Sequence, residues 1–244
     1  MLDHVYARVQ LAGLSLPISK HLVMMWIVGA GLIIILPWIF RSRLPGMNLA
    51  RTAVETLVLF VRDGMLAPTL GEHGKKYTPY FCTLFFFILF MNLLGLVPYG
   101  ATATGNIAVT AALSLCTFLL INLSGVAEHG VVGYLKSFVP HGVPGWMAPF
   151  LFPIEVIGLL AKTFALCVRL FANMIGGHIV LLSLTTMIFI FSDINFYAGV
   201  FGAIPVEVPM ALFISLLEVF VAALQAYIFT FLTAIFTGAA LHPH

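Results

Sequence analysis

No residue between Tyr77 and Ala127 carries a formal charge, and that run is 51 residues long. A helix that crosses a bilayer needs roughly 20 apolar residues, so this stretch is too long for one span. Pro98, Gly100 and Gly105, in VPYGATATGN, break it. The expected result is a transmembrane hairpin over 77–123. The rest of the chain agrees: hydrophobic residues are 61% and charged residues 8% of it, against roughly 45–50% and 25% in soluble domains. That excludes a soluble fold. A net charge of +2 gives no basic surface for nucleic acid.

The other segments follow from the same rule. Residues 1–20 form an N-terminal extracytoplasmic segment without the long apolar core of a cleaved signal. Residues 21–40 form the first transmembrane helix. In the 48–66 segment, Ala50, Val54, Leu57, Val58 and Val61 recur at helical spacing, with Arg51, Glu55 and Arg62 on the other side. That pattern predicts an amphipathic helix on the membrane surface. A polar, cytoplasmic segment covers 124–147. Residues 148–240 hold two long apolar helices, of about 148–191 and 209–238, joined by a loop at 192–207. The first of these would exceed 60 Å at roughly 1.5 Å per residue, twice the roughly 30 Å hydrocarbon core. It must tilt steeply, or break near Gly176–Gly177; the steep tilt is the expected solution. The fold class is therefore an all-α polytopic membrane protein. It has about five transmembrane segments, one surface amphipathic helix, and two long tilted C-terminal helices packed as an antiparallel hairpin.

Basic residues set the orientation. With the N-terminus outside, Arg41, Arg43, Arg51, Arg62, Lys75, Lys76 and Lys136 face the cytoplasm, and only Arg8 and Lys20 face out. Cys82, Cys116 and Cys167 are isolated in apolar runs and offer no metal-ligand spacing. His21, His73, His129, His141, His242 and His244 lie at membrane edges or in loops, which argues against a bis-His haem. No metal and no cofactor is expected. There is no internal repeat, so an inverted-repeat transporter plan gains no support.

The informative residues are the charges inside apolar helices. Arg169 sits in CVRLFANMIGGHIVLL. An arginine near the bilayer centre costs roughly 2.5–3.5 kcal/mol on insertion scales, and it cannot shed its proton. It is either paired with a carboxylate on a neighbouring helix or a fixed positive charge on an ion pathway. Glu155, Lys162 and Arg169 are seven apart in turn, and Asn173 follows at i+4, so they form one polar stripe. Interfacial snorkelling is the alternative for Glu155 and Lys162. His178 points away from Arg169, yet the antiparallel helix carries Glu218 and Gln225 seven apart. Axial steps put Glu218 level with His178 and Gln225 level with Arg169. Straight ideal helices would not satisfy both pairings. The His178–Glu218 pair reads as a proton relay or as a helix–helix hydrogen bond. Asn92, in FMNLLGLVP, either lines the same cavity or joins two helices. Asp193 and Glu207 are loop charges or the mouth of a channel.

At RLFANMIGGH the chain resembles the subunit a family of the F-type ATP synthase, the membrane stator of the Fo sector. The likeness extends to FMNLLGLVP, the NIAVT run at 106–110 and LQAYIF around Gln225, and covers roughly Lys76 to the C-terminus. It implies a non-catalytic, ion-translocating subunit that provides two offset proton half-channels, in a bacterial inner membrane rather than a mitochondrial one. Arg169 would be the essential arginine facing the carboxylates of the rotor c-ring. His178 and Glu218 would be the acid/histidine pair, exchanged relative to many bacterial members. Asn173 and Gln225 would be the polar groups beside the arginine, and Glu155 the acid of the cytoplasmic half-channel. The secondary channel-lining candidates are Asn92 and Lys162. Gly95 stands where some members have an acid, so that group is not needed here. Implied partners are the c-ring, the peripheral stalk subunit b, the remaining ATP synthase subunits and the lipid bilayer. Two other classes remain open on the residues alone: a stand-alone channel or transporter using Arg169 as a selectivity charge, and a structural membrane subunit.

Overall fold

The computed structural model describes residues 5–11, 14–41, 47–97, 103–138, 147–194 and 197–242. Pro98 and Gly100, which were expected to break the hairpin, lie outside the described residues, as do Arg43, His141 and His244. The chain opens with an antiparallel β-hairpin, β1 (Val5–Leu11) and β2 (Leu14–Ser19), which leads directly into α1 (Lys20–Arg41). Among the described residues every regular element after it is helical. Five helical stretches among the described residues are long and apolar enough to cross a membrane. In α1 Val28 is buried, while Trp26, Ile33 and Trp38 are exposed. That pattern suits a span whose solvent is lipid.

The amphipathic segment departs from the sequence expectation. It begins as α2 (Met47–Leu59), passes through a π-helical stretch (Phe60–Leu66), the short α3 (Ala67–Leu70) and a 3-10 turn (Gly71–His73), and enters α4 (Gly74–Gly95). Its first half keeps an exposed charged face, where Arg51 Nε donates to Glu55 at 2.9 Å. Its second half is part of the core. Val61, Met65, Leu66 and Leu70 have no exposed surface and pack with Phe81, Ile88, Leu166, Leu170 and Phe229. These four apolar side chains, at spacings of four, one and four residues, form one helix face that packs against α4 and the last helix. The approach is close. A side chain at Gly238 would meet the carbonyl oxygen of Thr69.

Asn106 caps α5 (Ile107–Ser137), its Oδ1 accepting from the Ala108 amide at 2.9 Å. This helix outruns the expected span because it bends rather than stops. Gly130 adopts φ 69°, ψ 166°, a backbone region essentially reserved for glycine. The chain turns there, Tyr134 folds over Gly125, and its hydroxyl donates to Asn122 Oδ1 at 3.1 Å.

The C-terminal hairpin consists of α6 (Ala148–Ile194) and α7 (Ile204–Leu241). α6 has 47 residues and runs unbroken through Gly176 and Gly177. At roughly 1.5 Å per residue it must tilt to fit a bilayer. The connection is shorter than the sequence suggested. A π-helical segment (Ala198–Ala203) feeds α7, which starts before Pro209 rather than at it. Pro205 sits in the first turn, where its missing N–H has no partner to lose.

Candidate functional site: two clefts along the α6–α7 hairpin

The antiparallel register of α6 and α7 decides which polar groups meet. Near the C-terminal half of α6, Asn173, Met174 and Gly177 share a cleft of about 170 Å³ with Ile214, Leu217, Glu218, Val221 and Ala222. The Glu218 carboxylate lies directly over Gly177, in the space that a side chain there would need. His178 is within electrostatic reach of it. Glycine thereby resolves the conflict left by ideal helix geometry. Residue 177 lies about 80° around α6 from Arg169, and with no side chain there the carboxylate of Glu218 can cross toward His178.

A second cleft of about 250 Å³ opens near the other end of the hairpin. Glu155, Leu159 and Lys162 of α6 line it with Phe236, Ala239 and Ala240 of α7 and with Tyr134 and Ser137 of α5. Lys162 Nζ is 3.8 Å from Glu155 Oε1 and 5.7 Å from the centroid of the Phe236 ring. Both charged side chains remain about half exposed, so this ion pair is a weak, solvated one.

Arg169 lies between the clefts, one turn from Asn173 and two turns from Lys162. The same register puts Gln225 level with it, and Gln225 is buried. Arg169 is exposed. Among the described residues neither an ion pair nor a hydrogen bond engages it. That removes, among the described residues, the carboxylate partner that a purely structural arginine needs. The face around it is open: Phe164, Ala165 and Ala172 are exposed beside it, while Leu166 and Leu170 on the other side of α6 are buried.

Residues 22–238 match the family described as ATP synthase A chain. The chain is 44% identical over 241 residues to ATP synthase subunit a of Myxococcus xanthus (strain DK1622), an alignment covering 95% of this chain and 76% of that protein. It is 43% identical over 242 residues to ATP synthase subunit a of Chloroherpeton thalassium, covering 96% and 69%. It is 44% identical over 239 residues to ATP synthase subunit a 2 of Prosthecochloris aestuarii, covering 96% and 71%.

The chain belongs to the ATP synthase A chain family.

As a member of that family it is a non-catalytic, proton-translocating membrane subunit of the ATP synthase. Of the two places open to Asn92 in this A chain, it takes the one between helices, whereas Glu207 sits differently from the sequence reading. Asn92 has no exposed surface. Its Nδ2 donates to the Ala222 carbonyl at 3.2 Å and its Oδ1 accepts from Thr104 Oγ1 at 2.9 Å. It ties α4, α7 and the 3-10 turn (Ala103–Gly105) together behind the cleft that Ala222 lines. Glu207 is not a loop charge. It is buried in the first turn of α7, where the unexpected early start of that helix carries it inward. The sequence signal was available: Glu207 is eighteen residues, or about five whole turns, from Gln225 and so shares its face.

Proposed function

We propose that the two clefts are the inner ends of two offset proton half-channels, and that Arg169 separates them while facing the c-ring. The observation that supports this reading is an exposed arginine, without an ion-pair partner among the described residues, midway along the polar stripe of α6, with a carboxylate-bearing cleft on each side of it. With the N-terminus outside, the Glu218 cleft opens toward the exterior and the Glu155 cleft toward the cytoplasm of a bacterial inner membrane. Protons enter past His178 and Glu218 and neutralise an ionised rotor carboxylate. The neutral carboxyl can then turn through lipid without the penalty of a buried charge. After nearly a full turn it reaches the second cleft and releases its proton near Glu155 and Lys162. Asn173 and Gln225 flank Arg169 and hydrogen-bond water or the rotor carboxyl.

Arg169 contributes a charge that no proton transfer can remove. It attracts a carboxylate that has lost its proton, by about 4 kcal/mol at roughly 4 Å and an effective dielectric of about 20. It repels protons that would cross directly from one cleft to the other. The membrane potential supplies roughly 2.3 kcal/mol per charge per 100 mV. The other partners are subunit b of the peripheral stalk and the remaining subunits, which hold this stator against the torque.

Cross-linking in the assembled complex tests the arrangement. With Cys82, Cys116 and Cys167 replaced, a cysteine at the exposed Ala172, one turn from Arg169, should cross-link to the c subunit. A cysteine at Leu115, on the exposed face of α5, should not. The opposite pattern would remove the rotor from the Arg169 face. A stand-alone channel would instead conduct ions when purified without other subunits.

A further inference from the structure

α7 opens with a buried acid that none of these steps uses. Glu207 is 7% exposed, and its Oε2 has no hydrogen-bond partner among the described residues. A carboxyl oxygen taken from water without a donor is costly, and internal water is the usual relief for such a group. Among the described residues Glu207 takes part in no ion pair. The π-helical segment Ala198–Ala203 that leads into α7 has no titratable residue. Tyr197 just before that segment and Asp193 at the end of α6 are exposed.

The position of Glu207 on α7 gives it a direction. Glu218 is eleven residues further on, about 20° around and about 16 Å along the axis, and Gln225 returns to the same face. Ile214 lies between Glu207 and Glu218 on that side and, like Glu218, lines the cleft with Gly177. One stripe of α7 therefore runs from a buried, unpartnered carboxyl near the helix start to the cleft beside Arg169.

We propose that Glu207 is the proton-intake carboxyl of the outer half-channel, a reading that rests on the half-channel function above. The ionised group takes a proton from hydronium on the outer side, forming its O–H bond and leaving water. That O–H bond then breaks as the proton passes along internal water to the His178–Glu218 pair, and the carboxylate is restored. No electrons move, and the proton received is the proton delivered. Glu207 acts through Glu218 and is a positioning and relay residue rather than one that meets the rotor.

The test uses the assembled complex in membrane vesicles, with ATP synthesis driven by acidifying the face that is outside in the cell. Glu207→Gln keeps the shape and removes the titration. It should lower synthesis about ten-fold or more at neutral outer pH, a modest loss for a positioned proton-transfer group. The deficit should shrink as the outer side is made more acid, and Glu207→Asp should restore much of the rate. Subunit content should stay normal. A Glu207→Gln complex with the parental rate and pH profile would overturn the proposal. So would a loss of rate that follows subunit content alone with an unchanged profile per assembled complex. Arg169→Ala is measured beside it. If that variant is inactive while Glu207→Gln is normal, only the intake role fails. If Arg169→Ala itself pumps normally, the underlying half-channel reading fails.

Discussion

The carboxylate of Glu218 occupies the space that a side chain at position 177 would fill. The pair sets both the depth and the direction of the acid. Glu218 crosses α6 at Gly177, where that helix has backbone and no side chain, and this brings it beside His178. Gly176, the neighbouring glycine, has nothing within 4 Å of the place its Cβ would take.

The two glycines therefore predict opposite outcomes. Gly177→Ala forces the Glu218 carboxylate aside and should lower ATP-driven proton pumping by about ten- to a hundred-fold, the scale on which a misplaced reacting group is felt. Gly176→Ala should leave pumping near the parental rate. Vesicle acidification by the two variants, at matched subunit content, distinguishes this from a general intolerance of larger residues on α6.

The relay makes a prediction about exchange. His178→Ala should impair proton flux without removing the subunit from the membrane. The double variant His178→Glu with Glu218→His should recover more flux than either single change, because the register sets the two groups at one depth. Equal activity of the double and single variants in a pumping assay would leave the pair a mere helix–helix contact.

Much of this arrangement is legible in the residues. The charge-free run at 77–127, the seven-residue stripe through Arg169 and the antiparallel register follow from composition and helix periodicity. What the sequence hides is tertiary. Periodicity marks Val61 and Met65 as one apolar face but cannot say that the face meets α4 and α7 rather than lipid. Pro209 reads as a helix start, yet α7 begins at Ile204 and carries Glu207 into the interior. Gly177 reads as a site of close helix approach; that the approaching group is the carboxylate of Glu218, 41 residues on, depends on the register of the two helices.

Asn92 predicts a loss of stability rather than of coupling. Asn92→Ala leaves the Ala222 carbonyl and the Thr104 hydroxyl without their partner inside the helix contact, a cost of about 1–3 kcal/mol. Subunit content or the melting temperature of the purified complex should fall. The ratio of protons pumped to ATP hydrolysed, per assembled complex, should not.

The central claim is that Arg169 both drives the exchange of rotor carboxylates and closes the path between the clefts. Measuring proton flux beside subunit content in vesicles carrying Arg169→Ala tests it most directly. The account predicts normal content, no ATP-driven pumping and a passive proton leak through the membrane sector. Arg169→Lys should also retain little coupled activity, since it loses the planar guanidinium and its own proton is less secure in an apolar site. Normal content with normal coupled pumping in Arg169→Ala would contradict the account.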